Sequence, residues 1–201
     1  MPPVPLYVGL QAPCSTYQRR IDPSRAAAQG REAADDAAGN ARALGLWLGS
    51  TITLDMEHYP AGNAACIEAV NSFVSAWTTR LHEHKFFAGL YTSVTSAGLA
   101  DQVAAYERPG HARPDMIDFA RWDGVQTVSD AALPASYWSP GAWMKQFRGD
   151  HHETWGGVRI NIDSNYLDLR QPRHAPPDWA SPGAIGTTPR VDRPSVRPPT
   201  R

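Results

Sequence analysis

Short β-rich runs alternate along this chain with stretches that carry helix signals, and that alternation restricts the fold more than any other feature. Leu6-Tyr7-Val8-Gly9-Leu10 reads as a strand, followed by Asp22-Pro23 as a cap with proline in the first helical turn. An Ala-rich helix runs from there to Leu44, with Gly45 placed to end it. Thr51-Ile52-Thr53-Leu54 is the second strand, and Asn63 caps a second helix. On that helix Ile67, Val70, Val74, Trp77 and Leu81 step by three and four residues along one face. Phe86–Tyr91 is the third strand, and a third helix starting at Ser96 turns Leu99, Val103 and Tyr106 inward. Met116–Ala120, Ala142–Phe147 and Val158–Asp163 complete six strands, with residues 125–141 read as loop. Strands separated by helices specify an α/β fold with a parallel sheet, either open or closed as a β/α barrel.

Composition removes several function classes. The formal charge of −1 argues against binding nucleic acid by phosphate neutralisation. No uncharged apolar run is long enough to span a membrane. The charge is uneven: residues 171–201 hold 5 Arg, 2 Asp and 8 of the 18 Pro, so the tail carries +3 and residues 1–170 carry −4. Such a tail has too little apolar surface to offset its ordering entropy, so it is expected to be disordered. A cationic tether to an anionic surface is the alternative. Residues 1–170 are then the folded domain. Met1 is followed by Pro-Pro-Val-Pro, without the basic and apolar regions of a signal peptide. The chain is therefore expected to be cytoplasmic or to have lost its true start. Cys14 and Cys66 have no metal-site spacing and are either two buried thiols or one disulfide.

Parallel α/β folds place their chemistry at the C-terminal strand ends. Here those ends carry Tyr7 and Gln11, Asp55 and Glu57, Tyr91, Trp122 and Asp123, Gln146, then Asp163 and Asn165. Asp55 and Glu57 are two apart, so on a strand they share a face with Cβ atoms roughly 7 Å apart. Carboxyls that close push their pKa values apart, leaving one proton donor and one carboxylate, which is what glycoside hydrolysis requires. The plainer alternative is a loop-capping Asp55 and a solvated Glu57. His82 and His84 fall at a helix end, and His151-His152 in a glycine-flanked loop. Neither pair is expected to hold metal, though His58 beside the acids could tune them. No phosphate loop and no nucleophile elbow are present, so no cofactor is expected.

Seven segments occur in order: Pro5–Gly9, Gln29-Gly30, Leu54–Glu57, Gly89–Tyr91, Ala120–Trp122, Lys145–Phe147 and Ile162–Asn165. Together they resemble a glycoside-hydrolase-like TIM-barrel domain family of unknown function, itself similar to the family-25 muramidases that cut peptidoglycan. The resemblance spans roughly residues 4–170. It implies Glu57 as proton donor with Asp55 assisting. It also implies that Tyr91, Trp122, Gln146 and Asp163 line a sugar cleft or hold the barrel floor, and Tyr7, Gln11 and Asn165 at the other strand ends are the remaining candidates for substrate binding. It implies a Cys14–Cys66 disulfide between neighbouring loops, an extracellular or cell-wall location, and a polysaccharide ligand. A complete barrel has eight strands in ~250 residues. Six strands imply an incomplete barrel whose first two strands, and an acid used by the muramidases, would precede Met1. An open barrel edge also invites self-association. A catalytically silent carbohydrate-binding relative is the alternative function, and a metal-dependent hydrolase using Asp55, Glu57 and His58 a more distant one.

Overall fold

The computed structural model describes residues 4–138 and 141–169. The tail expected to be disordered lies outside the described residues. The element order is β1 (Leu6–Val8), α1 (Ala26–Ala43), β2 (Thr51–Asp55), α2 (Ala64–Glu83), β3 (Phe87–Ser93), α3 (Ala97–Ala105), β4 (Met116–Ala120), β5 (Ala142–Trp155) and β6 (Val158–Leu169). The six strands form one sheet in sequence order, curled as a half-barrel. Neighbours from β1 to β5 run parallel.

The local signals operate as residue chemistry dictates. Asp22 caps a single 3-10 turn, Pro23–Arg25, by accepting from the Ser24 N–H before α1 begins. Asn63 caps α2 through the Cys66 N–H, and Ser96 caps α3 through the Gly98 N–H. Beyond α1, Gly45 takes φ +75°, which a side chain would resist. The buried stripe of α1 is almost entirely alanine, so α1 packs closely on α2. At Gly30 the approach is tightest, since a Cβ there would lie 2.3 Å from the Phe73 carbonyl oxygen. The helices cover the convex face, where Ile52, Leu54, Val70, Phe73, Trp77, Leu90, Ile117 and Phe119 form the core.

The last strand departs from the sequence reading. β6 pairs with β5 antiparallel, not parallel, and the two form one long hairpin turning at Gly156-Gly157. Both glycines have positive φ, as a two-residue hairpin turn of the mirror-image type requires. The ten residues between Phe147 and Val158 are also fewer than a parallel crossover needs. His151 and His152 accordingly sit within β5 rather than in a loop, and His151 is buried.

At the opposite edge, β1 is only three residues long and pairs with β2 alone. Its Leu6 and Val8 are 51% and 65% exposed on the concave face, in register with Thr53 and Asp55. Among the described residues, no helix is long and apolar enough to cross a membrane.

Candidate functional site

Register places the polar residues of the sheet in rows. Asp55 on β2 pairs with Tyr91 on β3, Tyr91 with Asp118 on β4, and Asp118 with Met144 on β5. Paired residues in a parallel sheet project to the same side, here the concave one. One step lower, Thr53 pairs with Gly89 and Gly89 with Met116. A Cβ at Gly89 would lie 2.5 Å from the Thr53 hydroxyl, so the glycine leaves room on this floor.

Asp55 is 6% exposed and its Oδ1 has no hydrogen-bond partner. Burial, reinforced by the Glu57 charge, pushes its pKa up to about 7. Glu57 lies two residues past the strand end and is only half-buried. The segment that carries both acids is held by Gln11. Its Nε2 donates to the Asp55 carbonyl at 2.9 Å and its Oε1 accepts from the Glu57 N–H at 2.8 Å. Gln11 is itself fixed by backbone bonds: its N–H to the Arg19 carbonyl, and the Ile21 N–H to its carbonyl, both 2.9 Å.

The 11–20 loop is tied to α2 by the Cys14–Cys66 disulfide, with Cα atoms 5.9 Å apart. The same loop carries Tyr17. Partial burial and the nearby Glu57 and Asp55 carboxyls raise its phenol above the ordinary value.

A second group stands beside the acids. Gln146 Oε1 accepts from the Trp122 indole N–H at 2.8 Å and from the Tyr91 hydroxyl at 3.2 Å, while its Nε2 donates to Asp163 Oδ2 at 3.1 Å. Asp163 Oδ1 accepts from the Asp150 N–H at 2.8 Å. Burial, and then the charges of Glu57, Asp118, Asp55 and Asp163, raise the Tyr91 phenol strongly. Trp122 is 61% exposed, and its ring lies on the backbone at Gly149, where a Cβ would approach it to 2.1 Å. One face of the indole is therefore packed and the rest is open.

The loop bearing Trp122 is anchored on the other side of the sheet. The fully buried Lys145 donates from Nζ to both Asp123 carboxylate oxygens at 2.8 and 2.9 Å, and Arg121 pairs with Asp130. The ammonium holds the Asp123 carboxyl below its usual range.

Among the sequence-predicted residues, Asp55, Glu57, Gln11, Tyr91, Trp122, Gln146 and Asp163 come together. Gln11 contacts backbone rather than the open cleft. Asn165 is exposed and pairs with Gln146 across the hairpin. Tyr7 stands apart: its hydroxyl donates to Asp36 of α1 at 2.9 Å and its ring lies 5.4 Å from Trp77, on the helix side. His58 is exposed, His82 bonds Asp115 at 2.7 Å, and His84 bonds Asp35. Among the described residues, no group of three or more His, Cys, Asp or Glu is arranged to hold a metal ion.

Sequence reasoning missed Asp118 and Tyr17. Asp118 had a signal, being the one charged residue in the apolar run Met116–Ala120 on a wholly buried strand.

The family model for the Rv2525c-like, glycoside hydrolase-like domain matches residues 2–167. The chain belongs to this family. No curated protein matches it. Among solved structures, an uncharacterized B. stearothermophilus protein is similar at 21% identity and a TM-score of 0.51, over 82% of this chain and 69% of that one. At that identity the likeness concerns the fold alone. The Rv2525c-like domain thus has a glycoside-hydrolase-like assignment and a concave face carrying acids, an open indole and a shared amide.

Proposed function

We propose that residues 1–170 form a TIM-type half-barrel that acts on cell-wall polysaccharide of the peptidoglycan class. The observation that carries this reading is the Asp55–Glu57 pair: one buried carboxyl with its pKa raised to about 7, beside one half-buried carboxyl, in a row whose Tyr91 shares the Gln146 amide with an exposed tryptophan. Aromatic faces suit the apolar faces of sugar rings. Trp122 receives a sugar ring, while Gln146 and Asp163 hold the indole and Tyr91 in place. Glu57 meets the glycosidic oxygen as general acid. Asp55 beside it retains a proton at pH values where an ordinary carboxylate has none, which keeps a proton available within the pair near neutral pH. Gln11 fixes the spacing of the two acids. The family assignment and the disulfide are compatible with an extracellular location.

A second reading is a glycan-binding domain that does not cleave. The open β1 edge favours it, since exposed Leu6 and Val8 leave the acids uncovered on one side. The same edge is where self-association would act.

The two readings separate on product masses from peptidoglycan and chitooligosaccharides incubated with the chain and with its Glu57→Gln variant. Cleavage by the parent, with glycan binding kept and cleavage lost in Glu57→Gln, supports the hydrolase. Binding without cleavage by both proteins supports the binder. Absence of glycan binding by both refutes the proposal.

A further inference from the structure

Asp118 has no role in the reading above, yet it is the most deeply placed acid on the concave face. It is 4% exposed, stands between Ile117 and Phe119 in sequence, and has an Oδ1 with no hydrogen-bond partner. Asp55 is two strands away in the same register row and also has an unpartnered, buried Oδ1. Two strand spacings put their Cα atoms roughly 10 Å apart, and the curl of the sheet turns both side chains inward. Glu57, past the β2 end, raises Asp55, Asp55 raises Asp118, and Tyr91 stands between the two in the row, where it also feels the Asp163 charge from β6. Met144 occupies the row on the β5 side, while Lys145 points to the other face and is committed to Asp123.

We propose that Asp118 is a positioning residue for the Asp55–Glu57 acids, forming with Asp55 a coupled carboxyl pair that keeps a proton on the floor of the half-barrel. The proposal rests on the glycan reading for its purpose but not for its existence. Two carboxyls facing one desolvated floor do not both ionise readily, because each charge disfavours the other. Burial and the Asp55 charge together push Asp118 up to about 8, above Asp55 at about 7. The lower step therefore belongs mainly to Asp55 and the upper to Asp118, with both values properties of the pair. As Asp55 gives up its proton near neutral pH, Asp118 keeps its own, and the floor beneath Glu57 stays at one negative charge.

The test is a carboxyl-carbon NMR titration of the intact chain and of its Asp118→Asn and Asp55→Asn variants, with folding checked by circular dichroism. In the parent, two aspartate carboxyls are expected to titrate far above the rest, near pH 7 and pH 8. Each variant is expected to lose the upper step and retain one elevated midpoint. Two ordinary midpoints in the parent overturn the proposal, and this arm needs no variant to fold. An unmoved Asp118 midpoint in Asp55→Asn overturns the coupling. Millimolar Mg2+ or Ca2+ is expected to leave the titration unchanged. Abolition of both steps by either ion, with a rise in Tm, would make the floor a cation site and refute the proton pair. Glycan turnover is scored separately: its absence with the coupled titration intact refutes the hydrolase reading alone.

Discussion

Removing the Cys14–Cys66 disulfide should cost the domain a large share of its stability. The bond closes a loop with a sequence separation of 52, between the segment after β1 and the first turn of α2. Loop-closure entropy for a ring of that size gives about 4 kcal/mol of destabilisation of the unfolded chain at room temperature. For a domain of this length that corresponds to a Tm lowered by roughly 10–15 °C. The measurement is thermal unfolding by circular dichroism of the Cys14→Ala/Cys66→Ala variant beside the oxidised parent. Alanine at both positions avoids burying a hydroxyl at Cys66, which is almost wholly enclosed. Reducing the parent should give nearly the same Tm as the variant. The bond also tethers the loop that carries Gln11, so glycan affinity should fall at temperatures where the variant is still folded. A Tm within ~2 °C of the parent, equivalent to under about 1 kcal/mol, would refute the reasoning, because the 11–20 loop would then be held by its other contacts.

Further outcomes follow from particular contacts. Gln11→Ala removes both bonds that hold the acid segment and leaves the Glu57 N–H without its partner, so a loss of about 1–3 kcal/mol in urea unfolding is expected, with weakened glycan binding. Gly149→Ala places a Cβ inside the Trp122 ring, so the indole must leave and its bond to Gln146 must break. Indole fluorescence should shift and glycan binding fall, with Tm nearly unchanged because Trp122 is largely exposed. Asp55 and Asp118 both have folded pKa values raised above the unfolded carboxylate value. Their contribution is fully present below about pH 4 and is lost as pH rises through 7 and 8, since the unfolded chain releases these protons first. Urea midpoints should therefore decline over that window, and the Asp118→Asn variant should show a shallower decline and greater stability than the parent at pH 8.

The sequence made the parallel part of the sheet readable because each crossover helix announces itself locally. Asn63 and Ser96 cap through single side-chain bonds, and the three-and-four spacing of α2 allows only one buried face. The hairpin was less readable, although its Gly156-Gly157 turn is a local signal. Extending the parallel pattern of the first strands to the last drew Val158–Asp163 into a parallel position and left His151-His152 in a supposed loop. Tyr7 shows a different limit. In a three-residue strand, alternation alone does not say which side chain faces the helices, and the choice is made by contacts with Asp36 and Trp77 far along the chain. Gln11 illustrates the same point, since its amide is recruited by the backbone around Asp55 and Glu57, 44 and 46 residues away.

Polar residues at strand ends interrupt apolar runs, and those at Asp55, Tyr91, Trp122, Gln146 and Asp163 are joined in the fold by hydrogen bonds and mutual charge. Attention to strand ends overlooks an acid in the middle of a strand. Asp118 is such an acid: burying a carboxyl between Ile117 and Phe119 is costly unless it is neutral or partnered, and its Oδ1 has no hydrogen bond. A fold selected for stability alone would place an apolar side chain in that row beside Met144. The Asp118 carboxyl, in register with Asp55 and 4% exposed, meets that cost by keeping its proton, as the proposed pair requires near neutral pH.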